Sequence, residues 1–120
     1  MTDLPHNLKA EKMVISAIPQ YPEIVPELVD MIEPVDFYNP KHGIIFQGVR
    51  DLVTRKEPVD LATIADTVDV QFPAVGSYLS EIAEKAPTSQ VQNHGRLVLE
   101  HSALRQAISL CNKSVSDLYN

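Results

Sequence analysis

The chain has 120 residues, 44% of them hydrophobic, which suits one compact domain with one core and excludes wholesale disorder. Its net charge of −6 comes from 16 acidic against 10 basic residues, and the basic ones are scattered (Lys9, Lys12, Arg50, Arg55, Lys56, Arg96, Arg105 and Lys113 among them), so strong nucleic-acid binding is not expected. No apolar run approaches the ~18–20 residues of a membrane span. Met1-Thr2-Asp3-Leu4-Pro5 lacks the basic and apolar regions of a signal peptide, and the single Cys111 excludes an internal disulfide; both predict a cytoplasmic protein.

Nine prolines punctuate the chain, each tolerated in a first helical turn and disruptive in a helix interior. The first predicted helix runs from about Leu8 to Ile18. Asn7 is its N-cap, Leu8, Val14, Ile15 and Ile18 form its buried side, and Pro19 and Pro22 end it. A second spans about Glu23 to Ile32, with Ile24, Leu28, Met31 and Ile32 at helical spacing and Pro26 as an alternative start. Asn39-Pro40 opens the third, followed by Ile45, Val49, Leu52 and Val53. Gly43 and Gly48 weaken it by up to ~1 kcal/mol each relative to Ala, so tertiary packing must hold it.

Asp60 caps a short fourth helix with Leu61, Ile64, Ala65 and Val68 inward. A fifth covers about Val75 to Ala86 and buries Leu79, Ile82 and Ala83. The alternating run Val68 to Phe72 has no partner strand. The predicted fold is all-α.

The last helix begins after Pro87-Thr88, where Ser89 and Gln92 fit an S-x-x-Q capping box. Eight residues then recur at spacings of three and four: His94, Leu97, His101, Leu104, Ile108, Cys111, Val115 and Leu118. Such a narrow seam is the pattern of a helix packing along another helix. A helix of ~30 residues is ~45 Å long, more than the preceding residues can cover. The expected organisation is a compact multi-helix head over residues 1–87 and a long C-terminal helix over 88–120. The seam pairs with another chain or with a helix beyond Asn120; the alternative is a shorter helix broken at Gly95.

Enzyme chemistry finds little support. His6, His42, His94 and His101 form no H-x-x-x-H set, and no C-x-x-C exists. His94 and His101 read as polar seam positions whose titration would make assembly pH-sensitive. Cys111 reads as a packed thiol. No G-x-x-x-x-G-K-[ST] loop is present, so no nucleotide cofactor or metal is expected. The only candidate for a DNA-reading helix pair, Asp60 to Ala86, is acidic, with one lysine and no arginine.

Five segments resemble one family in order and spacing. Pro5-His6-Asn7-Leu8-Lys9-Ala10-Glu11 is similar to the P-H-S-I-E-A-E opening of the N-terminal domain of DnaB-type replicative helicases of bacteria and phages. Asp36-Phe37-Tyr38 with Pro40-Lys41-His42 and Ile45-Phe46 resembles the D-F-Y…H-x-x-I-F block. Pro58-Val59-Asp60-Leu61-Ala62-Thr63-Ile64-Ala65 resembles P-I-D-L-x-T-L-A. Val75-Gly76-Ser77-Tyr78-Leu79-Ser80-Glu81-Ile82 resembles V-G-G-x-x-Y-L-x-E-L, two residues short. Ala86-Pro87-Thr88-Ser89, with Arg96-Leu97-Val98 and Leu104-Arg105, matches the start of a helical hairpin.

The resemblance implies a non-catalytic oligomerisation and protein-interaction domain, whose long helix is the first half of a hairpin that pairs two subunits. Three dimers would form a collar on a hexameric helicase and contact primase and, in some systems, a helicase loader. ATP and Mg would belong to a separate motor domain. Lys9, Tyr78, Arg105 and Ile108 match family positions on or near the partner-binding surface. Three departures stand out: Lys9 replaces a glutamate, His94-Gly95 replaces Tyr-Ala, and the loop before Tyr78 is short. The competing reading is a free-standing helical adaptor or regulator.

Overall fold

The computed structural model describes residues 4–83 and 88–119, with Thr88 and Ser89 as backbone alone. All regular elements among them are helical, in the order α1 (Leu8–Gln20), α2 (Val25–Met31), α3 (Pro40–Thr54), α4 (Leu61–Val68), α5 (Val75–Ile82) and α6 (Thr88–Tyr119). Short 3-10 turns at Pro22–Ile24 and Pro34–Asp36 flank α2.

Side chains that replace missing backbone partners set the helix starts. Asn7 Oδ1 accepts from the Ala10 N–H at 3.0 Å, and Asn39 Oδ1 accepts from the Lys41 N–H at 2.9 Å with Pro40 in the first turn. At α4 the cap is reciprocal: Asp60 Oδ1 accepts from the Thr63 N–H and Thr63 Oγ1 accepts from the Asp60 N–H. After α3 the chain reverses through Lys56 at φ 58°, with Lys56 N–H bonded to the Val53 carbonyl and Glu57 N–H to that of Leu52. This closing pair satisfies carbonyls that the helix end leaves free.

Three boundaries and one burial differ from expectation. α1 continues through Pro19 to Gln20, because a proline in the last turn costs one hydrogen bond and the Tyr21 N–H still reaches the Ala17 carbonyl. The Pro22–Ile24 turn takes the place of the first part of the predicted second helix, and α2 starts at Val25 with Pro26 in its first turn. Leu61, expected inward, is exposed, since it is the first helical residue on the rim of a groove formed with Pro19, Leu79 and Ala83. α5 stops at Ile82, where Ala83 turns to ψ 116° and faces solvent, while the predicted continuation to Ala86 lies outside the described residues.

The core is one cluster. Ile15 and Ile18 of α1, Leu28 of α2, Ile45, Phe46 and Leu52 of α3, and Ile64 of α4 are fully buried in it. Val91 and Val98 of α6 belong to the same cluster, so the core continues across residue 87. Helix α6 is unbroken at Gly95. A Cβ there would lie 2.5 Å from Met31 Cε and 3.3 Å from Ile32 Cδ1, so glycine permits the close approach of α6 to α2. Because the start of α6 lies on α2 and Arg105 reaches Pro5 ahead of α1, α6 runs antiparallel to α1.

Candidate protein-interaction surface

The face of α6 that enters the core is Val91, Gly95, Val98 and Ser102, spaced by three and four. The predicted seam lies on a different face, roughly 130° around the helix at about 100° per residue. Its first members, His94, Leu97 and His101, are half-buried along the flank of the head. His101 Nδ1 lies 2.8 Å from the Leu97 carbonyl, whereas His94 Nδ1 is buried with no hydrogen-bond partner.

Its later members leave the head behind. Ile108 is half-buried; Leu104 and Cys111 are exposed, as are Val115 at 54% and Leu118 at 82%. Leu110 and Tyr119 add further exposed apolar surface. Meanwhile the continuation of the core-facing side is polar, through Arg105, Ser109, Asn112 and Lys113. The free half of α6 therefore carries its own apolar stripe, turned away from the head's contact face. An uncompensated apolar stripe of this kind is a candidate protein contact.

Of the four candidate partner-binding residues, Lys9 is exposed on α1, and Ile108 is the half-buried member of the stripe. Arg105 is occupied within the chain: Nη1 donates to the Pro5 carbonyl at 2.8 Å, Nη2 donates to the Asp36 carbonyl at 2.6 Å, and the guanidinium lies 5.6 Å over the Tyr38 ring. Tyr78 is half-buried, its hydroxyl 2.6 Å from His42 Nε2. Burial pushes the phenol above its ordinary value of 10.0, helped by the charges of Glu81 and Glu11.

Behind Tyr78 lies a network that sequence reasoning missed. His42 is fully buried, and its Nδ1 lies 2.8 Å from Glu11 Oε1. Glu11 also accepts from the backbone N–H groups of Tyr38 at 2.8 Å and Asn39 at 3.2 Å. With its proton on Nδ1, the imidazole donates to Glu11 and accepts from Tyr78. Burial pushes the Glu11 carboxyl up, but the His42 hydrogen bond, the two backbone donors and attraction to His42 outweigh it and hold the group below its ordinary 4.5. Carboxylate, imidazole and phenol in series form an acid–base chain, yet no reactant can reach an imidazole buried this deeply. The one available signal was position: Glu11 shares the apolar stripe of Ile15 and Ile18, where a carboxylate must find donors.

A second buried acid, Asp36, accepts from Ser102 Oγ at 2.8 Å and from the Glu33 N–H at 2.7 Å. Ser102 was legible only as a polar member of the Val91, Gly95, Val98 stripe. Among the described residues, no three His, Cys, Asp or Glu side chains gather as a metal site, and no helix is long and apolar enough to cross a membrane.

Residues 3–100 match the model of the DnaB-like helicase N-terminal domain. The chain belongs to that family. It is 33% identical to the replicative DNA helicase DnaB of Geobacillus stearothermophilus over 120 residues, covering 96% of this chain and 26% of that protein. It thus spans about a quarter of the length of the curated relatives it matches. The crystal structure of the N-terminal domain of DnaB helicase from Mycobacterium tuberculosis shares the fold, with a TM-score of 0.88 at 24% identity over 98% of this chain and 89% of that one. A DnaB-like replicative helicase, described with its interactions with primase, aligns at a TM-score of 0.82 and 29% identity, covering 94% of this chain and 28% of that one. The resemblance drawn from five short motifs therefore identifies the family, and the all-α head with its long C-terminal helix is the DnaB N-terminal fold. What matches is the N-terminal domain, apart from any motor.

Proposed function

We propose that this domain is a non-catalytic interaction and oligomerisation module of a replicative DNA helicase, acting in its N-terminal collar. The observation that carries the reading is the free half of α6, whose stripe leaves Leu104, Cys111, Val115 and Leu118 exposed and Ile108 half-buried. Its partner is a helix of similar length, so that α6 becomes the first half of a hairpin over residues 88–120 and two subunits pair through it as dimers, three to a ring. The early seam positions His94, Leu97 and His101 flank the same contact. Primase is the further partner, as the description of a structurally similar helicase supports. A helicase loader is a second candidate, with Lys9 and Ile108 as exposed or half-exposed contacts. ATP and Mg have no role within these 120 residues, and the setting is the cytoplasm.

The test is binding of the cognate primase by titration calorimetry, alongside sedimentation of the natural full-length protein that carries this domain. Val115→Ser with Leu118→Ser is expected to abolish subunit pairing while leaving the head's melting curve in place. Pairing and primase binding both unchanged in that variant would discard the reading.

A further inference from the structure

Arg105 ties α6 to the head near the end of their contact, through the Pro5 and Asp36 carbonyls; from Gln106 onward every described side chain except Ile108 is exposed. Fourteen residues project beyond it, about 21 Å of helix at 1.5 Å per residue, so a tilt of about 15° at the exit swings the tip by about 5 Å. Such a displacement would destroy the register of any seam contact.

We infer that Arg105 is a positioning residue, a clamp that fixes the direction in which the free half of α6 leaves the head. Its planar fork joins three segments at one point: the strap of residues 4–7 through the Pro5 carbonyl, the Pro34–Asp36 turn through the Asp36 carbonyl, and α6 itself. Two carbonyls held by one guanidinium fix an orientation that a single contact cannot. The Tyr38 ring forms the floor beneath the guanidinium, and His6 of the strap stacks on Tyr38 with centroids 4.0 Å apart and planes within 10°. One turn earlier on α6, Ser102 Oγ donates to the carboxylate of Asp36, the residue whose carbonyl Arg105 holds. The strap is pinned below as well, since Asn7 caps α1. Arg105 therefore commits both of its terminal nitrogens to geometry within the chain.

The clamp deepens the interaction reading and relies on it only for its use; the experiment below reads geometry, so it can fail while that reading stands, and the reverse. Two nitroxide labels placed at Lys12→Cys and Lys113→Cys, with the exposed native Cys111→Ser, report the α1-to-arm distance by pulsed electron resonance. A second pair at Lys12→Cys and Asp66→Cys reports the head alone. The parent protein should give a single narrow distance population for each pair. With Arg105→Ala the arm pair should lose its narrow population while the head pair keeps it. Arg105→Lys, which preserves charge without the fork, should behave like alanine; recovery of the narrow population by lysine would overturn the two-carbonyl clamp. An arm distance unchanged by Arg105→Ala would overturn the proposal outright. Should the head pair also broaden, deletion of residues 1–5 decides: it removes the Pro5 acceptor and leaves the Asn7 cap. Loss of the narrow arm population in that variant supports the clamp, and its retention refutes it.

Discussion

Replacing Glu11 by glutamine keeps the shape of the side chain and removes its charge and one acceptor. Three donors converge on the carboxylate: His42 Nδ1 and the Asn39 N–H on Oε1, and the Tyr38 N–H on Oε2. A glutamine whose oxygen serves the first two turns its amide N–H₂ toward the Tyr38 N–H. A buried donor left without an acceptor costs about 1–3 kcal/mol. The two bonds that remain lose their charge assistance, roughly half their strength. Together these set the expected loss at about 2–4 kcal/mol at pH 7, measured as a shift in the urea or guanidinium midpoint. The pH dependence supplies a second readout. Because the folded protein holds the Glu11 carboxyl below its ordinary 4.5, its contribution is present above that pH and drains away as pH falls through and below it. Glu11→Gln should lack this part of the acid-induced loss. A variant within about 0.5 kcal/mol of the parent, or one equally sensitive to acid, would refute the account.

Tyr78→Phe removes one hydrogen bond to His42 and should cost about 1 kcal/mol by denaturant unfolding. The Tyr78 phenol is raised in the folded state, so its contribution is present below pH 10.0 and is lost as pH rises through that value; the phenylalanine variant should show a flatter alkaline limb. Gly48→Ala and Gly95→Ala should differ in thermal melts. At Gly48 a Cβ collides with Cγ1 of Val68, a stiff β-branched side chain, so a loss of about 1–3 kcal/mol is expected despite better helix propensity. At Gly95 the nearest atom is the flexible end of Met31, and alanine should fall within about 1 kcal/mol of the parent. Val115→Ser and Leu118→Ser should each change head stability by less than about 0.5 kcal/mol, since neither side chain is buried by it.

Local signals were read well from sequence where the physics is local. Asn7, Asn39 and Asp60 cap helices because a short polar side chain can reach a free N–H within three residues, whatever the tertiary fold. The apolar spacing of Ile45, Val49 and Leu52 likewise finds the core directly. The capping role given to Ser89 fares differently: α6 is already helical at Thr88, the Ser89 side chain lies outside the described residues, and Gln92 donates to Glu27 across 65 positions. Sequence periodicity also drew a single seam on α6 where two faces exist. Gly95 and Ser102 look polar or empty on any hydropathy scale, so the stripe that enters the core was passed over for its neighbour. The buried acids were the least legible. Nothing near Glu11 in sequence announces His42, Tyr38 or Asn39, because those contacts form only when α1 meets α3. Arg105 was singled out through resemblance, but its tie to Pro5, 100 positions away, has no trace in spacing.

The two faces of α6 also set an order of events. The head-facing stripe belongs to the core of one chain, while the free stripe begins where that core ends. The head can therefore complete its folding as a single copy, and the pairing proposed above would add a step governed by concentration afterwards. Head stability should not vary with dilution, whereas assembly should. Since the two stripes point in different directions around one rod, a helix pairing as proposed above would approach from the side, away from the head's own contact.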